Sequence, residues 1–491
     1  MRFIKFNSWA LTLILTFIIN TICMAQDAHY WTEQYGNKST LMSGSVVGSV
    51  DDLGAMYYNP ARLALQDDPT FLISAKAYQN VSLKVKDGIG EADLGSSVFG
   101  SAPTLAAGSF NLDSVKFLKF FHGHKFAYGF LSRTNMDYTL KLSQVETAEF
   151  NDAWEGEERY LSDVDWNKKV KEEWMGLTWA IPLDDNKKWS VGLSQFLAVH
   201  DMSAKYSQSI VAKEDGSDCT NCEVATYEMN RNRSIKSYGY VAKLGLNYST
   251  KLVEFGITYT TPKANLKGSG NTYYRQVLAN FHNEASEYTN LAEIGWGSAQ
   301  SATHKSPMSV AFGVGINIGK NVISLSAEWF DKVDEHYALV PTSFQRQAPD
   351  DGTVILNRYK DKRKSVTNFG VGVEWYLSSR VNAYTSFSTD YSALVRTFQG
   401  DSFEETDGFD NNLFAANINN YGGGISLDLN KIDLTIGTVY SRGIQTVGRI
   451  ARIPGENNPD SGIDKNATTD MVWERWKILI GFSLPFYSFG T

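Results

Sequence analysis

Two cysteines, Cys219 and Cys222, stand three apart in Asp218-Cys-Thr-Asn-Cys-Glu223. Such a pair can ligate zinc, cycle between thiol and disulfide, or pin a loop. Zinc needs two further ligands, and the chain has no second CxxC and no HxxxH. A redox role needs βαβ surroundings, which a chain reading almost wholly as strand does not offer. A local disulfide in an exported protein is the expected outcome. Seven histidines are scattered along the chain, and His122-Gly-His124 is the only close pair. It falls in a short turn before a strand, so solvated turn residues are expected there rather than a metal site. Acyl-transfer chemistry would need a serine, a histidine and a third group orienting it, and no G-x-S-x-G elbow occurs. Asp407–Asn412 lacks the spacing of a calcium loop. Neither catalysis nor a cofactor or metal is expected.

The elements that hold these residues follow from composition and pattern. The chain has 491 residues, with aromatics at 13%, which excludes a disordered polymer. A net charge of -8 gives no basic footprint, so nucleic acid is not an expected partner. Mean hydropathy is -0.28 and there is a single long apolar run, which excludes a bundle of membrane helices. That run, Ala10 to Ile19, follows Arg2 and Lys5 and ends in Cys23-Met24-Ala25. Residues 1–25 therefore read as a secretory signal cleaved after Ala25.

From about Pro69 onward the text alternates with period two. Val310, Phe312, Val314, Ile316 and Ile318 interleave with Ala311, Gly313, Gly315, Asn317 and Gly319. Similar patterns run from Phe369 to Leu377 and from Ile478 to Phe486. Such alternation places one set on each face of a sheet, and here the second set is small or polar instead of forming another core. Short turns near 184–188, 248–251, 319–321, 378–380 and 429–431 alternate with long polar stretches near 146–168, 208–232, 268–305, 340–363, 398–413 and 446–470. Short periplasmic turns and long outer loops are the layout of an outer-membrane barrel, and the pattern holds about 14 strands over 70–491. A propeller would repeat a blade motif, and none is present. Trp174, Trp179, Trp189, Trp329, Trp375, Trp473 and Trp476 lie in or beside strands, where interfacial girdles or lumen packing would use them.

Residues 26–69 break the pattern. They are rich in small side chains and contain Asn59-Pro60, a turn signal. A compact segment of this kind ahead of a barrel is expected to fill the lumen as a hatch. Here a family resemblance enters. Ser49-Val-Asp-Asp-Leu-Gly-Ala-Met-Tyr-Tyr-Asn-Pro-Ala-Arg-Leu-Ala64 resembles the hatch signature of the FadL/TodX-type outer-membrane transport proteins. Pro69-Thr-Phe71, Ala102-Pro-Thr104 and Phe126-Ala-Tyr-Gly129 also look like the family. The resemblance is specific over about 45–130.

The resemblance implies a 14-stranded barrel with an N-terminal hatch that takes up long-chain fatty acids or other hydrophobic molecules. It also implies sideways release where strand three kinks beside the hatch. It makes Asn59, Pro60 and Ala61 the hatch turn, with Ala61 small enough for close packing against the wall. Physics favours the sideways route, because an acyl chain gains about 0.8 kcal/mol per CH₂ on leaving water. Gly129 to Asn135 is where a ladder break is expected, with Gly129 tolerating a bulge and Arg133 and Asn135 satisfying the freed backbone. Phe281, Leu291, Ile294, Trp296, Leu339 and Val340 are the candidates for an outer apolar pocket. Expected partners are a hydrophobic small molecule, outer-membrane lipids and the barrel-assembly machinery during biogenesis, for a monomer. Two other readings remain open: a barrel that holds secreted cargo or a partner on its loops, and a porin. Small wall residues such as Gly422, Gly424, Ser426, Gly437 and Gly481 would leave room for ligand or water.

Overall fold

The computed structural model describes residues 29–66, 70–89, 92–112, 120–148, 151–154, 156, 158–213, 223–282, 289–345, 347–348, 352–354, 359–395, 416–430, 432–448 and 468–485. The signal reading and the Cys219–Cys222 disulfide fall outside them.

The wall is one antiparallel sheet closed on itself. Its strands are β1 (Thr70–Ile89), β2 (Ala92–Asn111), β3 (Lys125–Ala148), β4 (Glu158–Pro182), β5 (Trp189–Lys213) and β6 (Val224–Ser249). The next two staves are each made of two pieces: β7 (Val253–Thr260) continues as β8 (Ala264–Ala279), and β9 (Leu291–Ser301) continues as β10 (Ser309–Ile318). After β11 (Asn321–Phe330), the strands β12 (Val333–Leu339), β13 (Phe344–Gln345), β14 (Thr353–Val354) and β15 (Tyr359–Arg363) form two small pairs in an outer loop. The wall then resumes with β16 (Val366–Ser378), β17 (Val381–Asp390), β18 (Ile418–Asp428), β19 (Asp433–Gly448) and β20 (Thr468–Pro485). Because β20 pairs with β1 and β5 with β6, the sheet closes as a 14-strand transmembrane barrel of the outer-membrane kind.

The alternation explains the outer surface. Phe312, Phe369, Trp375, Ile478 and Phe482 face out and are exposed, while Ala311, Gly313 and Gly370 face in. That is an apolar belt presented to lipid. Trp189, Trp329, Trp375 and Trp476 lie on this outer face, whereas Trp174 and Trp473 are buried in the lumen.

The strands run farther than the polar stretches suggest. Residues 158–168, 208–213, 224–232, 268–279 and 291–301, expected as loops, are wall. Above the belt the two faces exchange character. On β4, Tyr160, Val164 and Trp166 are buried inside, while Asp163 and Lys169 face out. Outside is water at that height, so the outward set becomes polar and hides an alternation that is still present. Tyr206, Ile210, Tyr227 and Met229 continue the same inward packing, closing an apolar cluster across the upper lumen.

Candidate functional site: the filled lumen and the open seam

Residues 29–66 fill the lumen. Helical turns at Lys38–Leu41 and Ala55–Tyr58 and a 3-10 helix at Pro60–Leu65 are almost wholly buried. Asn59 is why the last helix starts where it does. Its side chain accepts from Ala61 N (3.1 Å), and Pro60 occupies the first helical position, where a missing N–H costs nothing. The same amide donates to Val47 O (3.0 Å) within the hatch and to Leu246 O (3.2 Å) of β6. That second bond ties the Asn59-Pro60-Ala61 turn to the wall at β6.

Wall glycines make the seat. A Cβ on Gly192 would lie 2.4 Å from Pro60 C, and one on Gly245 would lie 2.3 Å from Asn59 Oδ1. Gly422, Gly424 and Gly437 meet Leu41, and Gly481 meets Asn37. These small positions were expected to leave space for ligand or water. The hatch occupies it instead. Ala61 is fully buried, and its backbone nitrogen lies close to the Gly192 and Gly245 positions of β5 and β6. The hatch residue beside Gly129 is Met56, whose sulfur would lie 3.0 Å from a Cβ there. The helical turn at 55–58 swings the chain across the lumen between these two walls.

Charge holds the rest of the segment. Glu33 takes Arg475 (3.1 Å) and Lys477 (3.0 Å) from β20, with all three side chains buried. Asp390 accepts the backbone N–H groups of Tyr30 and Trp31 and the Thr32 hydroxyl. Breaking one partner of such a buried pair costs about 3–5 kcal/mol. Burial raises the Asp52 carboxyl pKa, while N–H bonds from Ser39 and Gly54 oppose that rise.

Strand three changes register within the segment named from the sequence. β3 pairs with β4 up to Ser132↔Glu173 and resumes at Thr134↔Glu172, leaving Arg133 as an extra, bulged residue. On its other edge β3 pairs with β2 only from Asn111↔Lys125 to Leu105↔Leu131. Beyond that point the remainder of β2 pairs with β1 alone, and the remainder of β3 with β4 alone. Pro103 follows closely on β2 and has no N–H to offer a ladder, and Thr104 is an extra residue opposite β1. Each of the two strands carries an extra residue near the point where their pairing stops. On the β1 side the seam opens at belt height: Ser74 is paired with Leu105, and its neighbours Ile73 and Phe482 are exposed.

Arg133 does not serve the freed backbone, as the sequence reading expected. It is buried, and its guanidinium lies over Tyr57 (5.7 Å) and Trp174 (5.9 Å). Its carbonyl instead receives the Tyr35 hydroxyl (3.5 Å). Asn135 is half-buried on β3 opposite Lys171. Lys243 stands 4.0 Å from the Tyr57 ring, so two cations meet aromatic faces here. Such contacts are worth about 2 kcal/mol each when desolvated. Burial pushes the Tyr57 hydroxyl pKa up, so the ring stays neutral.

A cavity lies above Tyr57, lined by apolar Val170, Trp174, Ile235 and Phe330 and by charged Arg133, Lys243, Glu172, Glu328, Asp361 and Arg363. The outer-loop pair β12–β15 caps it: Leu339 and Tyr359 pack with Val170, Met202, Ile235 and Ala302. Of the six outer-pocket candidates, Phe281 and Leu291 join the upper cluster and Leu339 joins the cap. Ile294 sits on the outward face of β9, and Trp296 and Val340 are exposed. They form no single pocket, because alternation sends β9 side chains to opposite faces of the wall.

The fold also gathers histidines that the sequence leaves far apart. His200 and His304 stack at 3.6 Å with 5° between the rings, beside Glu172. These three are the one group of ligand-type atoms close enough for a metal among the described residues. The geometry speaks against it. Ring-nitrogen lone pairs lie in the ring plane, and nearly parallel planes 3.6 Å apart share no nearby point where an ion could sit. Lys263 Nζ already lies 2.7 Å from His304 Nδ1 and 3.8 Å from Glu172. Burial, then the neighbouring His200 and cations, hold the His304 pKa well below the usual value. The cluster is an ammonium-filled polar joint under the cap. His124, expected as a solvated turn residue, is buried and accepts from Trp179 Nε1 (2.8 Å).

The barrel with its N-terminal segment inside is similar in fold to solved structures of FadL/TodX-type transport barrels. The chain is similar over 94% of its length, and over the whole of the other chain, to a Pseudomonas aeruginosa FadL homologue, with 11% identity and a TM-score of 0.55. It is similar over 93% of its length to the P. putida toluene transporter TodX, with 13% identity, 99% of that chain covered and a TM-score of 0.52. The Ralstonia pickettii toluene transporter TbuX gives 13% identity, 93% and 99% coverage and a TM-score of 0.51. No family model and no curated protein matches the sequence.

Proposed function

We propose that this protein carries hydrophobic small molecules across the outer membrane and releases them sideways into the bilayer between β2 and β3. The observation behind this reading is the ladder that stops at Leu105↔Leu131, with the hatch residues Met56 and Tyr57 behind it. The similar solved structures, a FadL homologue and two toluene transporters, support uptake of hydrophobic compounds as the class of activity. The polar cavity favours, within that class, an acyl chain with an acidic head. Asp361 holds Arg363 (3.1 Å), and Glu328 takes the Trp31 indole (2.7 Å) and the Ser309 hydroxyl (2.6 Å). Arg133 and Lys243 are thereby left facing aromatic rings, ready for a carboxylate.

Deleting Arg133 tests the route, because it removes the extra residue and lets β3 pair with β4 without a shift. Uptake of labelled oleate by cells relying on this protein should fall at least tenfold. Arg133→Lys, which keeps both the bulge and the positive charge, should lose much less. Normal uptake by the deletion variant would sink the sideways route, and uptake of toluene without oleate would sink the acidic-head reading.

A further inference from the structure

The turn that joins β2 to β3 differs from the other turns at its end of the barrel. Those at 183–188, 250–252, 319–320, 379–380 and 429–432 are polar apart from Leu183, Leu252, Leu429 and Ile432. This one ends in Phe120-Phe-His-Gly-His124, and residues 120–136 contain no acidic side chain. The Phe121 carbonyl accepts from His124 N (3.0 Å). Gly123, third of these four residues, takes the positive φ (78°) that such a reversal asks of glycine.

The reversal folds the turn back over the outside of the wall. His124 stands just before β3 and continues its outward set, Phe126, Tyr128 and Phe130. An outward position there faces lipid, yet His124 is buried. The turn itself covers it: the Phe120 and Phe121 rings lie 5.8 and 5.5 Å from the imidazole. Trp179 of β4 closes the other side and donates its Nε1–H to His124 Nδ1 (2.8 Å). Phe121 also meets Phe126 edge-on (5.7 Å), and Phe126 stacks on Phe110 of β2 (5.4 Å). Phe120 is left 81% exposed.

We propose that this turn is a foot set into the periplasmic leaflet, with Phe120 among the glycerol and upper acyl groups of its phospholipids. The surface around Phe120 is continuous with the lipid belt: Phe110, Tyr128, Phe130, Leu177 and Leu183 are all exposed beside it on β2, β3 and the end of β4. A soluble partner would have to reach Phe120 past the membrane that covers those side chains. Aromatic rings favour the interface, and a stretch free of carboxylates does not repel lipid phosphates. β3 pairs with β2 only from Asn111↔Lys125 to Leu105↔Leu131, so the foot gives this strand a second hold just below the opening.

The test places photoreactive p-benzoylphenylalanine at Phe120 and, for comparison, at Asn186 in the polar β4–β5 turn, in the whole protein within intact cells. Both positions are exposed, so the probe is tolerated at each, and unheated gel mobility confirms folding. After illumination and purification, intact mass should show phospholipid adducts about tenfold more abundant at 120 than at 186. Equal lipid adducts at the two positions overturn the proposal. So does a probe at 120 that is captured mainly by a second copy of this chain or by a periplasmic protein, which would make the turn a protein-docking surface.

Discussion

The β4–β5 seam and the β2–β3 seam belong to one sheet and behave in opposite ways. β4 and β5 pair without a shift from Arg159↔Lys213 to Pro182↔Ser190, through the belt and well above it. β2 and β3 pair from Asn111↔Lys125 to Leu105↔Leu131 and then part. The continuous seam carries the hatch seat at Gly192 and inward apolar packing that needs rigid walls. The open seam carries Pro103, two bulges and a buried arginine leaning on the hatch. The lesson is that closure is local: the barrel needs most seams complete, and a break survives where hatch side chains supply the contacts a neighbouring strand would have made.

A proline is the harshest probe of that contrast. Ala198→Pro would place one in the continuous seam, paired on both sides, at a fully buried position. It removes a ladder hydrogen bond and should cost about 3 kcal/mol or more. The expected result is loss of the unheated compact gel band. Pro103→Ala, in the open seam, should leave that band unchanged.

A smaller effect is expected from filling the seat. Gly192→Val pushes a side chain into the Pro60–Ala61 backbone, and overpacking of this kind costs about 1–3 kcal/mol. Gly100→Ala, on β2 beyond the break, meets nothing within 4 Å and should be silent. Thermal melts of the two variants side by side check this. A Gly192→Val protein as stable as its parent would mean that the hatch does not rest there.

The mildest probe is acid. His304 is held neutral among His200, Lys263, Arg363 and His336, with Glu172 nearby. Its folded pKa lies well below the ordinary 6.5, so the unfolded or undocked form binds the extra proton more readily. Docking of the β12–β15 cap is therefore complete above pH 6.5 and weakens as pH falls below it. Protection of residues 359–363 from hydrogen exchange should drop on acidification in the parent and change less in His304→Gln. The continuous seam should not respond.

Much of this was readable beforehand, for identifiable reasons. Asn59-Pro60-Ala61 announced the hatch turn because a proline and a capping amide act on their own neighbours. Strand three changes register at Arg133, inside the segment Gly129–Asn135 named from the sequence, and the Arg133 guanidinium lies over aromatic rings there. The outer pocket failed because Ile294 and Trp296 share the wrong face of β9, and the polar stretches at 158–168 and 268–279 were misread because the alternation there is inverted. The His200–His304 stack had one faint signal: His200 falls on the inward register with Phe196, Ala198 and Met202.

By itself, then, the sequence determined the barrel and an N-terminal segment set apart from its strands, since period-two alternation, turn chemistry and proline geometry are local properties written within a few residues. Only the tertiary structure decided which wall the hatch rests on, where the β2–β3 ladder ends and that Lys263 fills the space between Glu172 and His304. Those depend on register and on the rotation of strands around a closed circle, and a shift of one residue would send every one of these side chains to the other face.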